Sequence, residues 1–227
     1  MRTTLILIPT EVEAAMLKSS MPSLLSLEGV TTVICGFGPI SSGIRTSQML
    51  AVTQPNQCLL IGIAGSMHPD LKIGSAYEFN QVACYGIGVG SGSAFVAASE
   101  LGWRQWPVPH DGLLHSDASC CDILRLKETP PSMNDLQLLT VCAASASEQD
   151  VQQRLRLFSN AMAEDMEGFS VALACQTANI PLTIIRGISN IAGDRDKSRW
   201  KIQVALDATA KRALSYLKSS VSDVTKT

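Results

Sequence analysis

Long apolar runs, a surplus of positive charge, and cysteines or histidines at metal-binding spacing are all missing from this sequence. No stretch approaches the roughly 18 consecutive apolar residues of a membrane span. At the N-terminus, "MRTTLILIPTEVEAAM", the apolar run is only Leu5 to Ile8 before Pro9 and Glu11 interrupt it, too short for the core of a signal peptide. The expectation is a soluble, cytoplasmic protein with no membrane partner. Eighteen Lys and Arg against twenty Asp and Glu leave a formal net charge of −2, with the basic residues scattered. A nucleic-acid partner needs a basic face or stripe, so a small-molecule ligand is expected instead. The seven cysteines are odd in number and contain no CxxC pair, and His68, His110 and His115 stand at no ligand spacing from them, so no metal site is expected. Most of the cysteines lie in apolar runs, where a free thiol packs as a small hydrophobe. The adjacent Cys120 and Cys121 read as ordinary reduced thiols.

What is present is material for a core. With 227 residues, 46% of them hydrophobic, the chain is long enough for one α/β domain, here taken as 1–227 with 219–227 a flexible tail. Short apolar runs at 3–9, 31–36, 57–65, 138–146 and 180–189 predict strands, and 74–88 a further, longer one. Helical patterns lie at 11–20, 40–53 and 168–178. A last helix is marked by Ile202, Leu206, Thr209, Ala210, Ala213, Leu214 and Leu217 on one face. This alternation predicts a mixed central sheet flanked by helices on both faces. Segment 89–135, punctuated by Gly, Ser and Pro, is too long for an idle loop and is expected to act as a lid or a partner contact.

In open α/β sheets, ligands collect outside the carboxyl ends of the strands. The stretch "IPLTIIRGISNIAGDRD" (180–196) is the sharpest case, because a run apolar enough to be buried on both faces ends in Ser189 and Asn190 and then in Asp194, Arg195 and Asp196. Other predicted strands end in Pro9 to Glu13, in "GFGP" (36–39) and in "GIAGS" (62–66). Those glycines serve either as tight turns or as places where a ligand approaches backbone N–H groups. In "AEDMEGFSVALACQTA" (163–178), Glu164, Asp165 and Glu167 surround Met166 just before an alanine-rich helix. Acids favoured by a helix N-terminus explain part of that pattern, but neither Met166 nor Gly168.

With "GIAGS", "EDMEG" and "RGISNIAGDRD" in this order, the sequence resembles the purine nucleoside phosphorylase and methylthioadenosine nucleosidase superfamily over most of its length, least across 89–135. Within it, "AEDMEG" followed by "IRGISNIAGDRD" looks most like the futalosine hydrolases, nucleosidases of the alternative menaquinone pathway. The resemblance implies a nucleoside phosphorylase-like fold, a small-molecule nucleoside substrate, no cofactor, and a homodimer or larger homo-oligomer. It assigns Glu167 to the ribose hydroxyls and Met166 to packing on the ribose. Ala64, Gly65, Ser66 and Phe37 become substrate-binding, and Glu13, with Glu11 as the alternative, becomes the base that activates water. Asn190 stands where adenine-releasing relatives carry aspartate, and a carboxamide can donate to the O6 of a 6-oxopurine while accepting from N7–H. That favours hypoxanthine as the leaving base. Asp194, Arg195 and Asp196 either order their loop as a local ion-pair network or, at Arg195, meet the substrate. No Arg immediately precedes "GIAGS", and Arg45 is the one nearby candidate for a phosphate, so water is the expected nucleophile. A purine nucleoside phosphorylase and a methylthioadenosine nucleosidase-like enzyme are the alternatives.

Overall fold

The computed structural model describes residues 3–103, 105, 122–126 and 135–222. His110, His115, Cys120, Cys121, most of the second half of the expected lid, and the end of the expected tail lie outside them.

The elements in chain order are β1 (Thr4–Ile8), α1 (Glu11–Ser20), α2 (Pro22–Leu25), β2 (Val30–Ile34), α3 (Pro39–Thr53), β3 (Gln57–Ser66), β4 (Ala76–Phe79), β5 (Gln81–Tyr85), β6 (Gly88–Val89), β7 (Val96–Ala97), β8 (Ile123–Arg125), β9 (Gln137–Val141), α4 (Glu148–Leu157), β10 (Ala161–Asp165), α5 (Gly168–Thr177), β11 (Leu182–Ile191) and α6 (Ile202–Ser222). Nine strands form one mixed sheet in the order β2-β1-β3-β10-β9-β5-β8, with β11 beside β3 and β4 beyond it. β3 is the pivot. Its first half pairs with β1 and almost its whole length with β11, both parallel, and its last two residues pair antiparallel with β10.

β1 shows why these runs become central strands. Leu5 and Leu7 face a core built with α3 and α5, whereas Ile6 and Ile8 face a second core with Leu17 of α1 and Leu206, Ala210, Ala213 and Leu217 of α6. A strand covered on both faces must be apolar at every position rather than at alternate ones. The mixed sheet with helices on both faces is therefore as expected.

Several boundaries differ from the sequence reading. The predicted strand 138–146 stops at Val141, because the main chain of 143–145 is captured by side chains described below. The run 74–88 is broken at Asn80 into β4 and β5, which pair with different partners. Glu164 and Asp165 end a strand, β10, that the sequence reading did not separate from the following helix. Residues 219–222, expected to start the tail, continue α6.

Candidate active site

The C-terminal ends of β1, β3, β10 and β11 open into one cleft of about 600 Å³. Glu13, Phe37, Ala64, Gly65, Met166, Glu167 and Asn190 all line it. Ser66 does not: it is buried, and its hydroxyl donates to the His68 carbonyl at 2.7 Å. Arg45 is exposed on α3, away from the cleft.

Thr10 caps α1, accepting from the Glu13 N–H at 3.2 Å and donating its hydroxyl to Glu13 Oε2 at 2.7 Å. This variation on the capping box turns the third residue of the helix inward. Glu13 Oε1 then accepts the Ile63 N–H at 3.1 Å, which ties the carboxylate to β3, while Glu11 points to solvent.

The floor of the cleft was not legible in the sequence. Arg186, in the middle of β11, is wholly buried, and its guanidinium holds two carboxylates together. Nε and Nη2 reach Asp165 Oδ2 at 3.1 and 2.6 Å, and Nη2 reaches Glu167 Oε2 at 3.1 Å. Asp165 also accepts from Thr140 Oγ1 and the Gly168 N–H at 2.7 and 2.9 Å. Glu167 accepts the Gly38 N–H at 3.1 Å; Gly38 has a φ of +82°, a conformation open to glycine. Gly62, the partner of Arg186 in the β3–β11 register, leaves the room this needs: a Cβ there would overlap Arg186 Nη1 and stand 2.8 Å from Glu13 Oε1. Glu13, Asp165, Glu167 and Arg186 thus form one buried cluster with more negative groups than positive.

Its electrostatics follow from that imbalance. Burial above all raises the Glu167 carboxyl to about 7; Arg186 and the Gly38 N–H offset part of that rise, and Asp165 and Glu13 add to it. Burial works against the Arg186 charge, yet Asp165, Glu167 and Glu13 together hold its pKa above the ordinary guanidinium value. Arg186 Nη1 is buried with no acceptor. The one signal in the sequence was an arginine inside an otherwise apolar strand, which only a buried counter-charge can explain.

β11 carries a bulge. The register against β3 shifts between Ile188 and Asn190, so Ser189 is the extra residue and Asn190 turns toward the cleft. Ser189 Oγ donates to Asn190 Oδ1 at 2.8 Å, and Asn190 Nδ2 donates to the Ile191 carbonyl at 2.8 Å. A carbonyl demands a donor, which fixes the orientation of the amide. One N–H and one lone pair of the amide remain for a ligand.

A second buried ion pair was also missed. Glu164 accepts the N–H and hydroxyl of Ser145 at 2.8 and 2.7 Å and pairs with Arg154 Nη1. Arg154 Nη2 donates to the Ala143 carbonyl at 2.7 Å, and its guanidinium lies 5.3 Å from the centre of the Tyr85 ring. The pair shapes the loop after β9, whose Ala144, Ser145 and Ala146 form a cleft wall. Phe37 stands at the mouth, 64% exposed.

The profile of the family described as the phosphorylase superfamily matches residues 24–222. The chain belongs to the phosphorylase superfamily. Among curated relatives, a 5'-methylthioadenosine/S-adenosylhomocysteine nucleosidase of Chromohalobacter salexigens is 27% identical over 189 residues, 81% of this chain and 77% of that protein. A futalosine hydrolase of Streptomyces coelicolor is 28% identical over 148 residues, 65% of this chain and 59% of that protein. Among solved structures, the 5'-methylthioadenosine/S-adenosylhomocysteine nucleosidase from Neisseria meningitidis in complex with methylthio-immucillin-A has a TM-score of 0.74 at 16% identity, covering 96% of this chain and 100% of the other. The fold is therefore shared, while the two kinds of relative stand equally near in sequence.

Proposed function

We propose that this chain is a nucleosidase that hydrolyses the N-glycosidic bond of a 6-oxopurine nucleoside, futalosine, releasing hypoxanthine, and that the reaction serves menaquinone biosynthesis. The observation that carries the reading is the convergence of Glu13, Glu167 and the Asn190 carboxamide on one cleft.

Cleavage places positive charge on the sugar and negative charge on the departing base, and the site must stabilise both. Ionised Glu167 accepts from the two ribose hydroxyls, with Met166 against the ring, and its charge favours an oxocarbenium-like sugar. Charge-assisted hydrogen bonds of this kind contribute about 1.5–3 kcal/mol each. Glu13 removes a proton from water as the water oxygen bonds to the anomeric carbon and the C–N bond breaks. The base leaves protonated at N7 by solvent, with Asn190 Oδ1 accepting that N–H and Nδ2 donating to O6. A carboxylate in place of Asn190 would set its lone pairs against O6.

Phosphorolysis is the less favoured reading, since Arg186 is committed to carboxylates and Arg45 stands outside the cleft. Methylthioadenosine as substrate has sequence relatives as near as the futalosine hydrolases but leaves the amide at position 190 unexplained. The test is chromatography of the purified protein with futalosine, inosine and methylthioadenosine, each with and without phosphate. Hypoxanthine from futalosine without phosphate is expected. Release of adenine alone refutes the role of Asn190, and a requirement for phosphate refutes hydrolysis.

A further inference from the structure

Of the acids that line the cleft, Glu13 and Glu167 serve bond breaking and Asp165 braces Arg186, which leaves Glu164 without a task toward the ligand. Glu164 is only 5% exposed, and its carboxylate is committed only in part. Oε2 accepts twice, from the Ser145 hydroxyl at 2.7 Å and from Arg154 Nη1, whereas Oε1 accepts once, from the Ser145 N–H at 2.8 Å. Each carboxylate oxygen has two lone pairs, so one on Oε1 has no partner among the described residues. The group is also held in place, because Arg154 is itself fixed by the Ala143 carbonyl and the Tyr85 ring.

The sheet register relates this acceptor to Asn190. Gly65 of β3 pairs with Glu164 of β10 on one side and with Asn190 of β11 on the other. Residues paired across a sheet point to the same face, so both side chains rise from one face, with their Cα atoms about 10 Å apart at two strand spacings. Gly65 sets no side chain between them. Around this spot the chain after Asn190 packs on the loop after β9: a Cβ on Gly193 would stand 2.7 Å from the Ser147 carbonyl carbon. The base end of the cleft is thus bounded by the same two segments that carry Asn190 and anchor Glu164.

The geometry points to Glu164 Oε1 as the acceptor for the N1–H of a 6-oxopurine, a second reader of the base beside Asn190. The inference rests on the base-binding role of Asn190 proposed for this cleft. In the ring, N1 follows the C6 that carries O6, so a base that offers O6 and N7 to one of the two side chains can offer N1 to the other. A 6-oxopurine carries hydrogen on N1, whereas a 6-aminopurine presents a lone pair there. A carboxylate accepts only, so it pairs with the first and repels the second, and discrimination built on such buried polar pairing is large.

The test is calorimetric binding of hypoxanthine, 1-methylhypoxanthine and adenine to the wild type and to Glu164→Gln. Hypoxanthine and its 1-methyl derivative share O6 and N7, so the Asn190 contacts cancel in their ratio. The wild type is expected to bind hypoxanthine about 10- to 100-fold more tightly than the methyl derivative. In Glu164→Gln, Arg154 draws the amide oxygen to its own side, and the NH2 then stands where Oε1 was, donor against donor. The variant is expected to lose most of the ratio, whereas steric exclusion of the methyl group would survive the substitution. Adenine, whose N1 accepts, is expected to bind the variant more tightly than the wild type. Equal binding of hypoxanthine and 1-methylhypoxanthine by the wild type overturns the proposal, as does a ratio unchanged in the variant, or a variant in which hypoxanthine and adenine weaken together. If Glu164→Gln does not fold, proton NMR of hypoxanthine nitrogen-labelled at N1 and bound to the wild type decides: a downfield, slowly exchanging N1 proton is expected, and one that exchanges as in the free base refutes the contact. Should no nucleoside be cleaved, the nucleosidase reading fails separately, and the base-binding ratios still decide the role of Glu164.

Discussion

Replacing Gly62 by alanine adds one methyl group at the point where β3 passes beneath the carboxylate cluster. That methyl would overlap Arg186 Nη1, stand 2.8 Å from Glu13 Oε1 and lie 3.2 Å from Pro9 Cδ. Restoring an ordinary contact of 3.4 Å to the guanidinium requires a retreat of about 1 Å, and Arg186 is wholly buried with nowhere to go. Overpacking of this kind costs about 1–3 kcal/mol, and a shift of about 1 Å also weakens the bonds to Asp165 and Glu167, so the total approaches the roughly 3–5 kcal/mol of a broken buried ion pair. In a protein of this size that corresponds to a fall in Tm of about 6–20 °C. Glu13 is displaced at the same time, and a misplacement of about 1 Å near the reacting atoms costs on the order of 10²-fold in rate. Calorimetry and steady-state kinetics on the purified variant measure both effects. A Tm within about 2 °C of wild type together with an unchanged kcat would show that the cluster does not pack as described.

Three further outcomes are expected. Glu13→Gln should lower kcat by about 10²- to 10⁴-fold while leaving substrate binding, measured by calorimetry, nearly unchanged; an undiminished kcat rejects it as the base. Asn190→Asp should move the ratio of adenine to hypoxanthine release toward adenine by at least about tenfold in competition assays, because the oxygen that replaces Nδ2 favours a 6-amino group; an unmoved ratio refutes the base assignment. Glu167 carries a folded-state pKa raised to about 7 against 4.5 unfolded, so its contribution to stability is fully present below 4.5 and is lost as the pH rises to about 7. Urea unfolding should therefore show a loss of about 2–3 kcal/mol across that window in the wild type that is absent from Glu167→Gln, and kcat/KM should climb through the same pH range as Glu167 ionises. Parallel pH–stability curves for the two proteins would contradict the shift.

How far the sequence alone carries the fold is clearest in β1, β3, β11 and α6. Their patterns are local: continuous apolar runs for strands covered twice, and a single stripe for a helix covered once. The same reading placed polar residues at strand ends and, through the resemblance, marked Glu13, Glu167 and Asn190, all of which the cleft gathers. Local pattern said nothing of which acid turns inward, because Glu11 and Glu13 differ only in how the Thr10 cap and the Ile63 N–H receive them. Nor did it reveal that Ser66 turns away to His68, or that a bulge at Ser189 aims Asn190.

Arg186 and Arg154 belong with the residues that local pattern left undecided. A charge is tolerable in a core only when its partners arrive from elsewhere, and those of Arg186 lie 21 and 19 residues away in sequence, on another strand and at a helix N-cap respectively. The sequence by itself determined which segments are buried and which chemical groups stand at their ends. Only the tertiary structure decided which of those groups meet, because burial of a run is a property of its own side chains, whereas the pairing of buried charges is a property of the strands and helices that the fold brings together.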